Sequence, residues 1–227
     1  MSKTAVIILA GGRGTRMQSD KSKQFIEVKG RPIIYYTLKR FEENKDIDKI
    51  ILVLPEDEVA YCRENVLEKY ELRVDTIVTG GAERQDSVYN GLKAAEGYDI
   101  VLIHDGARPF VSDRIIEEGV KYAEEYGAAA PGVMPKDTIK VKNDENFSVS
   151  TPDRSSLVAV QTPQCFKYDI IKDCHDKIRE NHIKVTDDTM AIENYGNKVY
   201  LFDGEYTNLK ITTPEDLVMA EYLADSL

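Results

Sequence analysis

The sequence predicts an α/β fold built on a doubly wound, mostly parallel sheet, and two observations predict it. Short runs rich in β-branched residues are apolar on both faces, as strands buried between two helical layers must be. Amphipathic stretches separate them with short connections, which imply right-handed crossovers.

The strand runs lie at 5–10 (AVIILA), 49–54 (KIILVL), 74–79 (VDTIVT), 99–104 (DIVLIH) and 128–133 (AAAPGV). The first helix, 32–43, opens on Pro32, whose fixed φ suits a helix start, and carries Ile33, Ile34, Thr37, Leu38 and Phe41 on one face. Stretches 56–70, 84–95 and 112–126 follow the same pattern. The rhythm breaks at 136–160. Ile139 and Val141 alternate with polar residues, as do Phe147 and Val149, around the polar KNDEN. That is a hairpin signature, too polar for a central strand pair. It predicts a protruding β-hairpin arm, at 136–158, which a partner subunit can cover. Helices follow at 168–181 and 187–195, then strands at 198–202 and 209–211. The last helix is marked by Thr213 as N-cap, Pro214 at its first position and Asp216 three residues past the cap. There is no internal repeat and no dividing linker, so residues 1–227 are expected to form one domain.

Bulk properties restrict the partners. The chain has 227 residues, and its formal net charge of −10 argues against a nucleic acid partner. No apolar run approaches the roughly 20 residues that span a bilayer, and 5–10 is too short for a signal-peptide core. Cys62, Cys165 and Cys174 are scattered without metal spacing, which suggests reduced thiols and a cytoplasmic setting.

In such folds ligands bind beyond the carboxyl ends of the strands, where the distinctive loops fall. GGRGTRM follows the first strand, GGAERQDS the third and DGARPF the fourth. The first loop fits neither the dinucleotide pattern, because Met17 stands where glycine is needed, nor the Walker A spacing. What remains is a run of backbone N–H groups able to face phosphate oxygens at Gly11, Gly12 and Gly14. Arg13, Arg16, Lys21 and Lys23 add four positive charges within eleven residues. Asp105 closes a buried strand, where a carboxylate must be paired or metal-bound. It can hold Mg²⁺ bridging substrate phosphates or pair with Arg108. His104 reads as a packing residue. Ser87 reads equally as a helix cap or a ligand donor, and Thr186 equally as a site residue or a cap. Lys210, between apolar neighbours, points to an anion.

LAGGRGTRM followed by KQF resembles the nucleotidyltransferases that make nucleoside-diphosphate sugars and alcohols. With GGAERQDSVYNGL, HDGARPF, KDTIK, DRSSLVAVQTPQCF, TDD and NLKITTPEDL, the chain from about Ile7 to Ala220 resembles the 2-C-methyl-D-erythritol 4-phosphate cytidylyltransferase family. The resemblance implies a Rossmann-like sheet of the nucleotide-diphospho-sugar transferase type. It implies transfer of a cytidylyl group from CTP to methylerythritol 4-phosphate with Mg²⁺ and release of pyrophosphate. It assigns Arg16 and Lys23 to the triphosphate and transition state, and Arg154 and Lys210 to the acceptor phosphate. It places Asp105, Gly106, Arg108, Thr138, Thr162 and Thr186 around the second substrate or metal, with Asp105 as the expected metal carboxylate. It places Ala10, Gly11, Gly12, Gly81 and Ser87 around the cytidine. It implies a homodimer with crossed arms, so that Thr138 and Arg154 serve the neighbouring site. The nearest rival is a ribitol 5-phosphate cytidylyltransferase. Sugar-1-phosphate transferases and a non-catalytic nucleotide-binding regulator are more distant. The sequence departs from the family at LAGG, where many members have Pro-Ala-Ala-Gly, at Ser22 before Lys23, and at Val158 after RSSL.

Overall fold

A computed structural model describes residues 2–12 and 22–225. In chain order its elements are β1 (Thr4–Leu9), β2 (Glu27–Val28), β3 (Arg31–Pro32), α1 (Ile33–Glu43), β4 (Lys49–Leu54) and α2 (Val59–Cys62), which runs on as π-helical turns through Arg63–Glu68. Then come β5 (Thr76–Thr79), α3 (Arg84–Ala94), β6 (Ile100–Asp105), α4 (Asp113–Tyr126), β7 (Ala128–Val133), β8 (Val141–Lys142) and β9 (Ser148–Ser150). The chain closes with β10 (Ala159–Val160), β11 (Gln164–Lys167), α5 (Tyr168–Glu180), α6 (Asp188–Glu193), β12 (Tyr200–Asp203) and α7 (Pro214–Ala224).

β1 lies between β4 and β6 and is parallel to both, and β4 continues to β5. On the other side β6 pairs antiparallel with β11, which pairs antiparallel with β7. β12 runs parallel to β7. Successive residues of β1 serve opposite faces, as strand geometry requires. Val6 and Ile8 pack with Ile34, Leu38 and Phe41 of α1 and Ile115 of α4. Ala5 and Ile7 pack with Val88 and Leu92 of α3 and Ile171 of α5. Helices therefore cover both faces, and the doubly wound, mostly parallel expectation holds.

Ser112 caps α4 by accepting from Ile115 N–H, and Gly127, at φ +90°, closes it. That left-handed position suits glycine, and the chain turns there directly into β7. The Thr213–Asp216 capping box with Pro214 at the start of α7 forms as the sequence predicts. β8 and β9 make an exposed hairpin in the predicted arm.

Three expectations change. The 209–211 strand does not form: Ile211 N–H donates once to Ala107 O, at 2.9 Å, with no ladder. The 56–70 helix is broken into a 3₁₀ turn (Glu56–Glu58), α2 and the π-helical turns. The sequence predicts no strand between 160 and 168, yet β11, which follows the cis Thr162–Pro163 peptide, is an antiparallel strand inserted between β6 and β7.

Candidate active site

Strand order reverses between β1 and β6, whose last residues, Leu9 and Asp105, lie in register. Such a switch point leaves a crevice beyond the carboxyl ends, because the two chains leave in opposite directions. A cavity of about 310 Å³ opens there. Its lining includes Ala10, Gly11, Gly12, Lys23, Gly81, Ser87, Asp105, Gly106 and Lys210, so nine of the sequence-derived residues share one site.

Each wall has a local cause. Gly106 N–H donates to Leu9 O at 2.8 Å, tying the end of β6 to that of β1. A Cβ there would meet Leu9 O and the Ile34 side chain at 3.0 Å. On the third loop Ser87 is not the cap of α3. Glu83 and Asp86 form a capping box instead. Ser87 Oγ accepts from Gly81 N–H at 3.0 Å and donates to Glu83 O at 3.3 Å, holding the glycine loop against the helix. A Cβ on Gly81 would lie 2.3 Å from Asp86 Cβ. Lys23 opens a 3₁₀ turn, Lys23–Phe25, whose Phe25 is buried against the Tyr61 ring. Its neighbours Ser22 and Gln24 both donate to the Glu58 carboxylate.

Asp105 is the electrostatic centre. Lys210 Nζ stands 2.8 Å from its Oδ2, and Arg108 Nε stands 3.7 Å from the same oxygen. Burial alone would raise the Asp105 pKa, but the charges of Lys210, Arg84 and Arg108 hold it below the ordinary carboxylate value. Thr162 and His104 brace this residue from behind. His104 Nε2 faces the Arg108 carbonyl at 3.0 Å, so that nitrogen carries the hydrogen. Nδ1 is then an acceptor, and the Thr162 hydroxyl donates to it at 3.1 Å while accepting from Asp105 N–H at 3.0 Å. Burial pushes the His104 pKa down to about 4, so the imidazole is neutral at pH 7. It packs against Phe41, as a structural histidine would. Arg108 Nη1 donates to Asn208 O at 2.8 Å, and Asn208 Nδ2 donates to Thr162 O at 3.0 Å, fixing the segment that presents Lys210.

Other expected residues lie apart from the cavity. Thr138 and Arg154 are exposed on the arm, 3.4 Å apart. Thr186 is exposed before α6, with Oγ1 3.6 Å from Met190 Sδ. Gly14 and Arg16 lie outside the described residues. Among those described, no cluster of three or more metal-ligating side chains occurs. Sequence reading missed Arg84, which lines the cavity, because it simply opens the amphipathic stretch 84–95 and nothing beside it marks it as a site residue. It missed Glu58, whose contacts with Ser22 and Gln24 are long-range and leave no local pattern.

A family model described as 2-C-methyl-D-erythritol 4-phosphate cytidylyltransferase matches residues 4–226. The chain belongs to that family. Cytidylyltransferases of that name from Clostridium perfringens SM101 and Clostridium botulinum Eklund 17B are 63% and 59% identical, over 98% and 97% of this chain and 99% of theirs. A solved 4-diphosphocytidyl-2C-methyl-D-erythritol synthase from Anaerococcus prevotii superposes with a TM-score of 0.87, at 34% identity, over 99% of this chain and 96% of that one. The cytidylyltransferase structure from Thermus thermophilus gives 0.81 at 32% identity, over 98% and 99%. These solved cytidylyltransferases thus share the fold that forms the switch-point crevice.

Proposed function

We propose that the chain transfers the cytidylyl group of CTP to 2-C-methyl-D-erythritol 4-phosphate, giving 4-diphosphocytidyl-2-C-methyl-D-erythritol and pyrophosphate, a step in isoprenoid precursor synthesis. The observation that carries this reading is the convergence of Lys23, Asp105 and Lys210 with the glycine loops in one cavity of a chain 63% identical to relatives of that name.

An oxygen of the acceptor phosphate attacks the α-phosphorus in line. The new O–P bond forms as the bond to the β-phosphate oxygen breaks, and pyrophosphate leaves. The nucleophile is already an anion, so no general base is needed. His104 fits this scheme, since both its ring nitrogens are engaged within the fold. The obstacle is repulsion between polyanions, which preorganised cations and N–H donors offset. In this reading Arg16 and Lys23 stabilise the charge that builds at the α-phosphate, and Lys210 and Arg154 orient the acceptor. Ala10, Gly11, Gly12, Gly14, Gly81, Ser87 and Gly106 frame the nucleotide, and Arg108, Thr138, Thr162 and Thr186 the acceptor side.

The donor set suits Mg²⁺, which binds through one or two carboxylates plus phosphates and water. Asp105 would be its protein ligand, and the ion would neutralise phosphate charge. The arm presents Phe147, 69% exposed, and Val149, 60% exposed, an apolar surface that suits a second copy of this chain. Such a homodimer would bring Thr138 and Arg154 to the neighbour's cavity. The three cysteines are buried and unpaired, in keeping with a cytoplasmic enzyme. No described helix is long and apolar enough to cross a membrane.

The test is phosphorus NMR of CTP, Mg²⁺ and methylerythritol 4-phosphate incubated with the protein. Growth of a diphosphate diester signal supports the assignment. Unchanged CTP at a site that binds it refutes catalysis of this reaction.

A further inference from the structure

Arg84 carries a charge that this scheme leaves without a role. It occupies the first position of α3, directly after the glycine loop, and lines the cavity with Lys23, Asp105 and Lys210. Its Nη2 donates to Asp188 Oδ2 at 2.7 Å. Asp188 opens α6 and is wholly buried. Its other oxygen accepts from Nε2 of His175, on α5, at 3.1 Å, and His175 is also wholly buried. The backbone N–H groups of Asp188 and Thr189 both donate to Gln164 Oε1 of β11, which fixes the carboxylate's mount. Three helices thus hold one guanidinium.

A purely structural ion pair explains this poorly. Buried pairs contribute little net stability, because desolvation offsets their attraction. The N-terminus of α3 already has its capping box and needs no help from Arg84. Moreover, the Arg84 side chain stays 34% exposed while its anchor is fully buried. One nitrogen of the fork is tied down, no other hydrogen bond or ion pair of the guanidinium occurs among the described residues, and the residue lines the cavity. Its charge is also among those that depress the pKa of Asp105, which places it in the same electrostatic field. A planar cation fixed on one side and open on the other is built to receive an oxyanion bidentately.

We infer that Arg84 is a substrate-binding residue that receives a phosphate oxyanion, and that Asp188, backed by His175, is a positioning residue that aims it. The inference rests on the nucleotidyl-transfer reading for the identity of the substrate. Two phosphates have this chemistry, the triphosphate of the nucleotide and the monoester of the acceptor.

The experiment compares wild type with Arg84→Lys, Asp188→Asn and the double variant Arg84→Met/Asp188→Asn. The double variant leaves no unpaired buried charge, and Arg84→Lys keeps the charge but loses the fork. Pyrophosphate release is followed with CTP and methylerythritol 4-phosphate varied separately, and thermal midpoints are recorded alongside. The expected result is a fall of about 10- to 100-fold in kcat/KM for the double variant, the worth of a charge-assisted hydrogen bond, with smaller losses in the two single variants. A rise in the KM for CTP assigns the oxyanion to the triphosphate, and a rise in the acceptor KM assigns it to the monoester. Unchanged kinetics with only a lowered thermal midpoint overturn the inference. Should wild type be silent, the function is wrong, and calorimetric titration with inorganic pyrophosphate and inorganic phosphate decides instead. Equal anion affinities in wild type and double variant would then overturn the role of Arg84, and weaker affinity in the variant would uphold it.

Discussion

Lys210 Nζ lies 2.8 Å from Asp105 Oδ2, joining the segment before α7 to the last residue of β6. Both residues line the cavity, and Lys210 remains 41% exposed, so its ammonium can also reach an anion. Lys210→Ala is expected to raise the acceptor KM roughly 10- to 100-fold with a smaller effect on kcat. Steady-state kinetics with CTP saturating checks this, and an unchanged acceptor KM removes Lys210 from acceptor binding.

Lys23 and Arg16 are expected to act on the transition state. Either alanine variant should lower kcat by about 10²–10³, the usual effect of losing one such donor, with little change in thermal midpoint. Single-turnover rates at saturating substrates read the effect directly.

Thr162 closes the hydrogen-bond chain from Asp105 N–H to His104 Nδ1. Thr162→Val keeps the shape but strands a buried donor and a buried acceptor. The expected loss is about 1–3 kcal/mol per stranded group, seen as a lower urea midpoint. A variant as stable as wild type would contradict this wiring.

Asp188 has its pKa lowered from 3.8 to about 2, because Arg84 and the His175 bond outweigh burial, which acts in the other direction. A carboxyl depressed on folding stabilises the fold above its unfolded pKa, and that contribution is lost as pH falls through the folded value. Wild type should therefore lose stability between about pH 4 and pH 2, whereas Asp188→Asn lacks this component. Urea unfolding across that range measures the difference.

Gly81→Ala places a Cβ 2.3 Å from Asp86 Cβ, so the loop must shift away from α3. Weaker CTP binding is expected, at a stability cost of about 1–3 kcal/mol. Calorimetric titration with CTP tests it.

Much of this was legible because the parallel strands are buried on both faces. KIILVL coincides with β4, and AAAPGV with β7. Gly81 and Gly106 were readable because close approach excludes a side chain there, whereas a Cβ on Gly11 or Gly12 would meet nothing within 4 Å. Less local features were not. β11 is four residues long and runs straight into α5, so no period separates the two. Leu209–Ile211 is apolar like a strand but has no partner ladder. Arg84 owes its direction to Asp188, more than a hundred positions away, and nothing near it in the chain signals that partner.

Cytidylyl transfer to methylerythritol 4-phosphate is read by pyrophosphate release in the presence of Mg²⁺ and CTP, with methylerythritol 4-phosphate and ribitol 5-phosphate offered in parallel. Release with methylerythritol 4-phosphate and not with ribitol 5-phosphate is the expected result. Release with ribitol 5-phosphate alone, or with neither, would contradict the account.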